Sequence, residues 1–198
     1  VITNIGISHI ENLGTQENIL KAKLEILDGA AYDAPLILCR DDKLLAGVQL
    51  HSDRKVYYYS VSKKDCDVYA SGVKTVDNSI TFTINYEGGK IAAQINCLGE
   101  HNVKNALAAF CVGLALDIPP EDIVKGIAQF KPEGLRQNVT VIDGVTYIVD
   151  CYNAAPDSMK ASLSVLSQAQ AEGKRICVLG DMLELGKNSK TYHRNVGE

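Results

Sequence analysis

Lys23 is the residue in this 198-residue sequence whose neighbours least suit its charge. A helix from Gln16 to about Asp28 would gather Ile19, Leu20, Ala22, Ile26 and Leu27 into one apolar arc with Lys23 near its middle, while Lys21 and Glu25 point the other way. A lysine so placed has two fates. It can snorkel its ammonium to water, or it can sit desolvated with a lowered pKa, able to act as a nucleophile or to add carbon dioxide. The resulting carbamate has the anionic oxygens that Mg²⁺ prefers and an ammonium cannot supply. His9 follows the first apolar run, at the carboxyl end where open sheets present ligand-binding side chains; it reads either as a loop hydrogen-bonder or as a metal ligand. Asn102 and Asn105, three apart at the start of a helix, project from one face. Their carboxamides match the donor and acceptor edge of adenine, or one caps the helix and the other is solvated. Asp150 ends an apolar strand ahead of Asn153 and Pro156, and is either a crevice ligand or a turn residue. The run Gly180-Asp-Met-Leu-Glu-Leu-Gly-Lys-Asn188 imitates a phosphate loop. It has one residue too many between its glycines and Asn in place of Ser/Thr, and no GxxxxGK[ST] or GxGxxG occurs in the chain.

The elements that must position these groups are readable from pattern. Residues 1 to 7 are apolar and β-branched, and Thr15 can cap the helix that ends before Gly29. Strands are expected at 35–39, 56–61, 67–70, 80–86 and 90–95, the last two joined by a hairpin at Glu87-Gly-Gly-Lys90. Helices follow at about 101–116 and, after Pro119-Pro120, at about 121–130. Beyond the connector Lys131-Pro-Glu-Gly-Leu135 come a strand, an Asp143-Gly144 turn, a strand to Asp150, a helix from Pro156 to about Ala171 and a strand at 175–180, the grammar of a βαβ crossover in a parallel sheet. The boundary implied is near 132–137, with domains at 1–135 and 136–198.

Composition narrows the class. With 46% hydrophobic and 22% charged residues and a net charge of -4, the chain is globular, and the absence of a basic stripe argues against nucleic acid as a partner. No apolar run reaches membrane-spanning length. The six cysteines show no CxxC and no zinc spacing, so they read as small core residues in a reducing cytoplasm. Val1 is not an initiator Met, and 191–198 reads as a helix cut short; the expectation is a segment of a longer protein.

Thr3-Asn-Ile-Gly-Ile-Ser-His-Ile-Glu-Asn-Leu-Gly14, Lys21-Ala-Lys-Leu-Glu-Ile26, Gly99-Glu-His-Asn-Val-Lys-Asn-Ala-Leu-Ala-Ala109, Gly134-Leu-Arg-Gln137, Asp150-Cys-Tyr-Asn-Ala-Ala-Pro-Asp-Ser-Met159 and Val178-Leu-Gly-Asp-Met-Leu-Glu-Leu-Gly186 together resemble the Mur ligases, ATP-dependent amide-forming enzymes of bacterial cell-wall precursor synthesis. The resemblance implies an α/β chain: the later part of a central ATPase domain with a β-rich stretch, then the first part of a Rossmann-like C-terminal domain. The family's phosphate loop and an upstream Mg²⁺-binding Glu would lie before Val1. The strings at 150–159 and 178–186 look like the member that joins D-alanyl-D-alanine to a UDP-N-acetylmuramoyl tripeptide through an acyl phosphate.

By the same resemblance His9 matches a Mg²⁺ ligand and Lys23 the carbamoylated lysine, the two residues expected to carry catalysis and the metal. Asn102 and Asn105 match adenine contacts, and Arg136 and Asp150 match residues near the ATP phosphates and ribose. The implied cofactors are ATP and Mg²⁺. The whole protein is expected to be a cytoplasmic monomer without membrane insertion, and this chain alone to be inactive. Two positions depart from the family pattern: Cys151 replaces Ser, and Ala155 replaces Asn or His, removing a side chain that could cap the following helix. The alternatives are another Mur ligase, a folylpolyglutamate synthetase, or a non-catalytic nucleotide-binding module.

Overall fold

The computed structural model describes residues 1–50 and 53–198. They form two compact units. The first comprises Val1–Ile5 and Glu17–Phe130, the second Gly6–Gln16 and Lys131–Glu198.

The first unit is built on a five-stranded sheet of mixed direction, β1 (Leu36–Cys39), β2 (Val56–Ser60), β3 (Val68–Val76), β4 (Ser79–Tyr86) and β5 (Gly89–Ile95), in spatial order 1-2-3-4-5. β1, β2 and β3 run parallel, and β3 to β5 form an antiparallel meander. All four residues of β1 are buried, as expected of a continuous apolar run in a parallel sheet. The meander alternates instead, Ile80, Phe82 and Ile84 facing the core. Its hairpin closes at Glu87-Gly88 with Tyr86 opposite Gly89. A Cβ on Gly88 would lie 2.6 Å from the Tyr86 ring, so a larger residue there would have to displace that ring. β3 runs further than its apolar start, continuing through a bulge between Ser71 and Lys74 into exposed residues.

Helix α1 (Ile10–Leu13) belongs to the second unit, and the chain then enters α2 (Gln16–Leu24) and α3 (Ile26–Gly29). The single helix expected over 16–28 is therefore interrupted at Glu25. The break falls where burial weakens: Ile19 is buried, Ile26 is 56% exposed and Leu27 is only half-buried. Only Ile2 of the first seven residues pairs as a strand, bridging Leu38 in parallel. A short α4 (Lys43–Ala46) follows β1, and α5 (Glu100–Ala115) and α6 (Pro120–Gln129) cover the sheet. Val103, Leu107, Phe110 and Cys111, spaced 4, 3 and 1 apart on the inner face of α5, are completely buried. Tyr86 meets Phe110 edge to face at 5.3 Å between centroids.

In the second unit β6 (Asn138–Ile142) and β7 (Val145–Val149) form an antiparallel hairpin. Asp143 and Gly144 both have positive φ, 52° and 77°, the geometry of the tight turn their sequence signals. α7 (Pro156–Gln168) and α8 (Ser189–Gly197) complete it, with a 3₁₀ turn at Gly186–Asn188. Ala155 has no capping side chain, but Ser158 at the third helical position takes the Ala155 N–H at 3.0 Å, half of a capping box.

The expected strand at 175–180 does not form. No strand among the described residues lies beside it to take its hydrogen bonds, and Ile176 and Val178 stand 75% and 95% exposed. Leu135 O accepts from Cys151 N and Tyr152 N, which ties the connector at 131–135 to the second compact unit. The cysteines divide. Cys39, Cys97 and Cys111 are buried and their thiol pKa values are raised by desolvation, but Cys151 and Cys177 are exposed, contrary to the core reading, because hairpin end and extended segment have no covering layer. No described helix is long and apolar enough to cross a membrane.

The crossing of α5 and α6 depends on one missing methyl group. A Cβ on Gly113 would stand 2.5 Å and 2.6 Å from two carbons of the buried Ile123 side chain. Gly113→Ala is expected to lower stability by roughly 1–3 kcal/mol through overpacking, despite the better helix propensity of Ala. Urea unfolding checks this, and the double variant Gly113→Ala/Ile123→Val should regain part of the loss.

Candidate functional site

The first unit carries Lys23, Asn102 and Asn105. Lys23 lies in the last turn of α2 and is exposed along its stem, but its Nζ folds back to donate to Asn4 O at 2.8 Å. Partial burial of the amine lowers its pKa from the ordinary lysine value, and the Asp42 carboxylate opposes that shift. The residue is thus neither fully desolvated nor free in water.

Asp42 was not singled out by spacing, yet it organises this end of the sheet. It follows β1 by three residues. One oxygen caps α4 through Leu44 N and Leu45 N at 2.9 and 3.0 Å; the other accepts from Ile5 N at 2.7 Å. The paired Asp41-Asp42 at the carboxyl end of a buried strand was the signal available. Asp41 accepts from Ser60, Ser62 and Val61 N; those bonds hold its carboxyl below the usual range although burial opposes them.

Asn102 and Asn105 share a face of α5, as their spacing requires. Asn102 Nδ2 donates to Leu98 O at 2.8 Å, and Asn105 Nδ2 approaches Asn102 Oδ1 at 3.4 Å. Neither is the N-cap; Gly99 is, at φ 95° and with no side chain to offer. Asn105 is exposed and Asn102 half-buried.

The second unit carries His9, Arg136 and Asp150. Arg136 stacks its guanidinium on Tyr152, 3.9 Å from the ring centroid. Asp150 accepts from Ser162 of α7, tying the end of β7 to that helix. His9 precedes α1 and pairs through Nδ1 with Glu184. A carboxylate can only accept, so Nδ1 carries the proton and donates. Both residues have left-handed backbones, φ 64° and 60°. Such a conformation costs about 1–2 kcal/mol for a non-glycine residue, whereas an exposed ion pair returns about 0–1 kcal/mol. With side chains 63% and 48% exposed, this pair does not hold the fold together. The loop is anchored by buried Met182 and Leu185 and by Glu11 N donating to Glu184 O at 3.2 Å.

A second histidine–carboxylate pair ties the other end of that loop. His193 on α8 faces Asp181 Oδ1 at 2.6 Å through Nε2 and Ser189 O at 2.8 Å through Nδ1. Met182 N–H lies 2.9 Å from Asp181 Oδ1 and 3.2 Å from His193 Nε2, so it is shared between the two, and protonation of the ring favours its contacts with both acceptors. Neither Glu184 nor His193 has a local sequence signal, since their partners lie 175 and 12 residues away.

No three His, Cys, Asp or Glu side chains among the described residues converge to hold a metal ion. His9 offers one imidazole, and Lys23 offers oxygen only as a carbamate. A single imidazole cannot form a cage, and Mg²⁺ commonly keeps phosphate and water oxygens in its shell.

Residues 1–113 match the Mur ligase middle domain and residues 134–198 the Mur ligase glutamate ligase domain. The chain is 39% identical over 198 residues to UDP-N-acetylmuramoyl-tripeptide--D-alanyl-D-alanine ligase of Bacillus subtilis, covering all of this chain and 42% of that protein, and 30% identical to the Escherichia coli ligase of the same name, covering 44% of it. The crystal structure of MurF from Acinetobacter baumannii superposes with a TM-score of 0.90 at 32% identity, over 99% of this chain and 42% of that one. MurF of Thermotoga maritima in complex with ADP gives 0.85 at 26% identity, over 98% and 44%. The chain spans less than half the length of these relatives.

The tie between the 181–185 loop and α8 is expected to weaken with rising pH. The Ser189 carbonyl and then the Asp181 carboxylate raise the pKa of His193 above its ordinary 6.5. A raised pKa stabilises the folded state fully below the unfolded value, and that contribution is lost as pH climbs through the folded one. NMR titration should place the His193 midpoint above 6.5, with Asp181→Asn moving it down; an unmoved midpoint would contradict the pairing.

Proposed function

Since the chain belongs to the Mur ligase family, we propose that it is part of an ATP-dependent ligase that joins D-alanyl-D-alanine to a UDP-N-acetylmuramoyl tripeptide in peptidoglycan precursor synthesis, in the cytoplasm. The observation that carries this reading is the alignment of all 198 residues with tripeptide ligases, across both domain matches and in order. In such a ligase the γ-phosphate of ATP moves to the terminal carboxylate of the tripeptide, giving an acyl phosphate and ADP. The amine of D-alanyl-D-alanine then displaces phosphate and forms the amide.

On this reading Asn102 and Asn105 hold adenine. Their shared, inward-anchored face supports the assignment, because Leu98 O fixes the Asn102 carboxamide and leaves its oxygen toward Asn105. Arg136, stacked on Tyr152, presents a planar cation suited to phosphate oxygens, and Asp150 is the residue assigned to the ribose. Mg²⁺, when bound, offsets the charge that builds on the phosphoryl oxygens. His9 would offer such an ion a ring nitrogen, and Lys23, once carbamoylated, would offer an oxygen. The lowered amine pKa of Lys23 supports the last assignment, since only a neutral amine adds carbon dioxide.

The reaction itself is the first test. The enzyme completed to the length of its relatives should release ADP when given UDP-N-acetylmuramoyl tripeptide and D-alanyl-D-alanine together. Turnover with single amino acids but not with the dipeptide would favour another Mur ligase or a folylpolyglutamate synthetase. The 198-residue chain alone, which has no GxxxxGK[ST], should be inactive and bind nucleotide at roughly millimolar Kd or weaker by calorimetry.

Lys23→Ala in the completed enzyme should lose most activity, with partial recovery in acetate or formate. Lys21→Ala, exposed one turn-face away, should change it little. Full activity in Lys23→Ala would return the residue to a snorkelling role.

A further inference from the structure

We propose that Glu184 is a positioning residue for His9, locking the imidazole with its proton on Nδ1 so that Nε2 keeps the lone pair for a metal ion; this rests on the metal reading given above. Three observations lead there. The first is the chemistry of the contact: His9 Nδ1 faces a carboxylate oxygen, so the ring must donate through Nδ1, and the only lone pair left on it is that of Nε2. A free neutral imidazole has no such restriction, and a carboxylate on the far nitrogen is how ligating histidines are commonly oriented.

The second is strain at both ends. His9 and Glu184 each adopt a left-handed backbone that a glycine would occupy without penalty, while Gly14 and Gly186 beside them do use glycine at φ 80° and 60°. Such φ values also occur at Asp77, Asp117, Gln137 and Asp143; what is particular to His9 and Glu184 is that both members of one side-chain contact share it. The third is that the loop carrying Glu184 is fixed independently of the pair. Met182 and Leu185 are buried, Glu11 N donates to Glu184 O, and Asp181 is held by His193. The carboxylate therefore arrives from a rigid support, and exposure of the pair leaves it little weight in stability.

The experiment uses the completed enzyme with Glu184→Gly, Glu184→Gln and His9→Ala. Glu184→Gly suits φ 60° better than glutamate does, so a residue needed only for the turn would leave it unchanged or more stable. Histidine-selective ¹⁵N NMR on the metal-free protein at about pH 8.5, where a free imidazole is neutral, identifies His9 by its loss in His9→Ala. Wild type should show protonated Nδ1, Glu184→Gln should keep it through the amide oxygen, and Glu184→Gly should move to mainly protonated Nε2. The Mg²⁺ concentration for half-maximal ADP release should rise about 10-fold or more in Glu184→Gly and less in Glu184→Gln. Wild-type tautomer or wild-type Mg²⁺ requirement in Glu184→Gly overturns the proposal. If His9→Ala leaves the Mg²⁺ requirement unchanged, the metal reading fails instead, and with it this use of the pair, whereas a His9→Ala effect without a Glu184→Gly effect removes Glu184 alone.

Discussion

The burial of one side of α5 is the constraint on which the first unit turns. Val103, Leu107, Phe110 and Cys111 are sealed against the sheet, and that packing sets the rotation of the helix about its axis. Once the rotation is set, Asn102 and Asn105 can emerge only along one line, and the Leu98 carbonyl fixes the first of them. A polar pair is thus oriented by the apolar residues on the opposite side of the same helix. Gly113 extends the same logic, since α6 reaches the helix only where a side chain is missing.

The second unit is organised differently. Its hairpin strands are largely exposed, and its order comes from points of attachment: Asp150 to Ser162, Arg136 on Tyr152, Asp181 to His193 and His9 to Glu184. Exposed ion pairs stabilise weakly, so these contacts orient groups more than they hold a core. The arrangement explains why the apolar residues 176, 178 and 179 remain uncovered: nothing among the described residues packs a layer over them.

Asp42 links the two kinds of order. It follows a fully buried strand, so its position is set by packing, and it spends both oxygens on backbone N–H groups that define the start of α4 and the course of the chain at Ile5. The charge it retains acts on Lys23 and opposes the loss of that amine's proton. The lysine is therefore tuned by two opposing effects of similar origin: partial removal from water, and proximity to a carboxylate held in place by the fold.

Much of this was legible in local sequence. The five strands of the first unit, the helices α5 and α6, and both tight turns follow from patterns only a few residues long, because strand alternation, helix spacing and the positive φ of Asp143-Gly144 are local physics. The motifs that resemble a family were likewise readable, and the family match agrees with them. What required the tertiary structure was any feature decided by a partner distant in the chain. The helix over 16–28 breaks at Glu25, where burial of its apolar arc weakens, and 175–180 stays unpaired because a parallel strand exists only beside a neighbour. His9 meets a carboxylate 175 positions away, and the Lys23 amine turns back to Asn4. Residue type and spacing determine which chemistry is available; desolvation, tautomer and strain arise only when long-range packing brings the groups together, since each depends on what stands within a few ångströms in space.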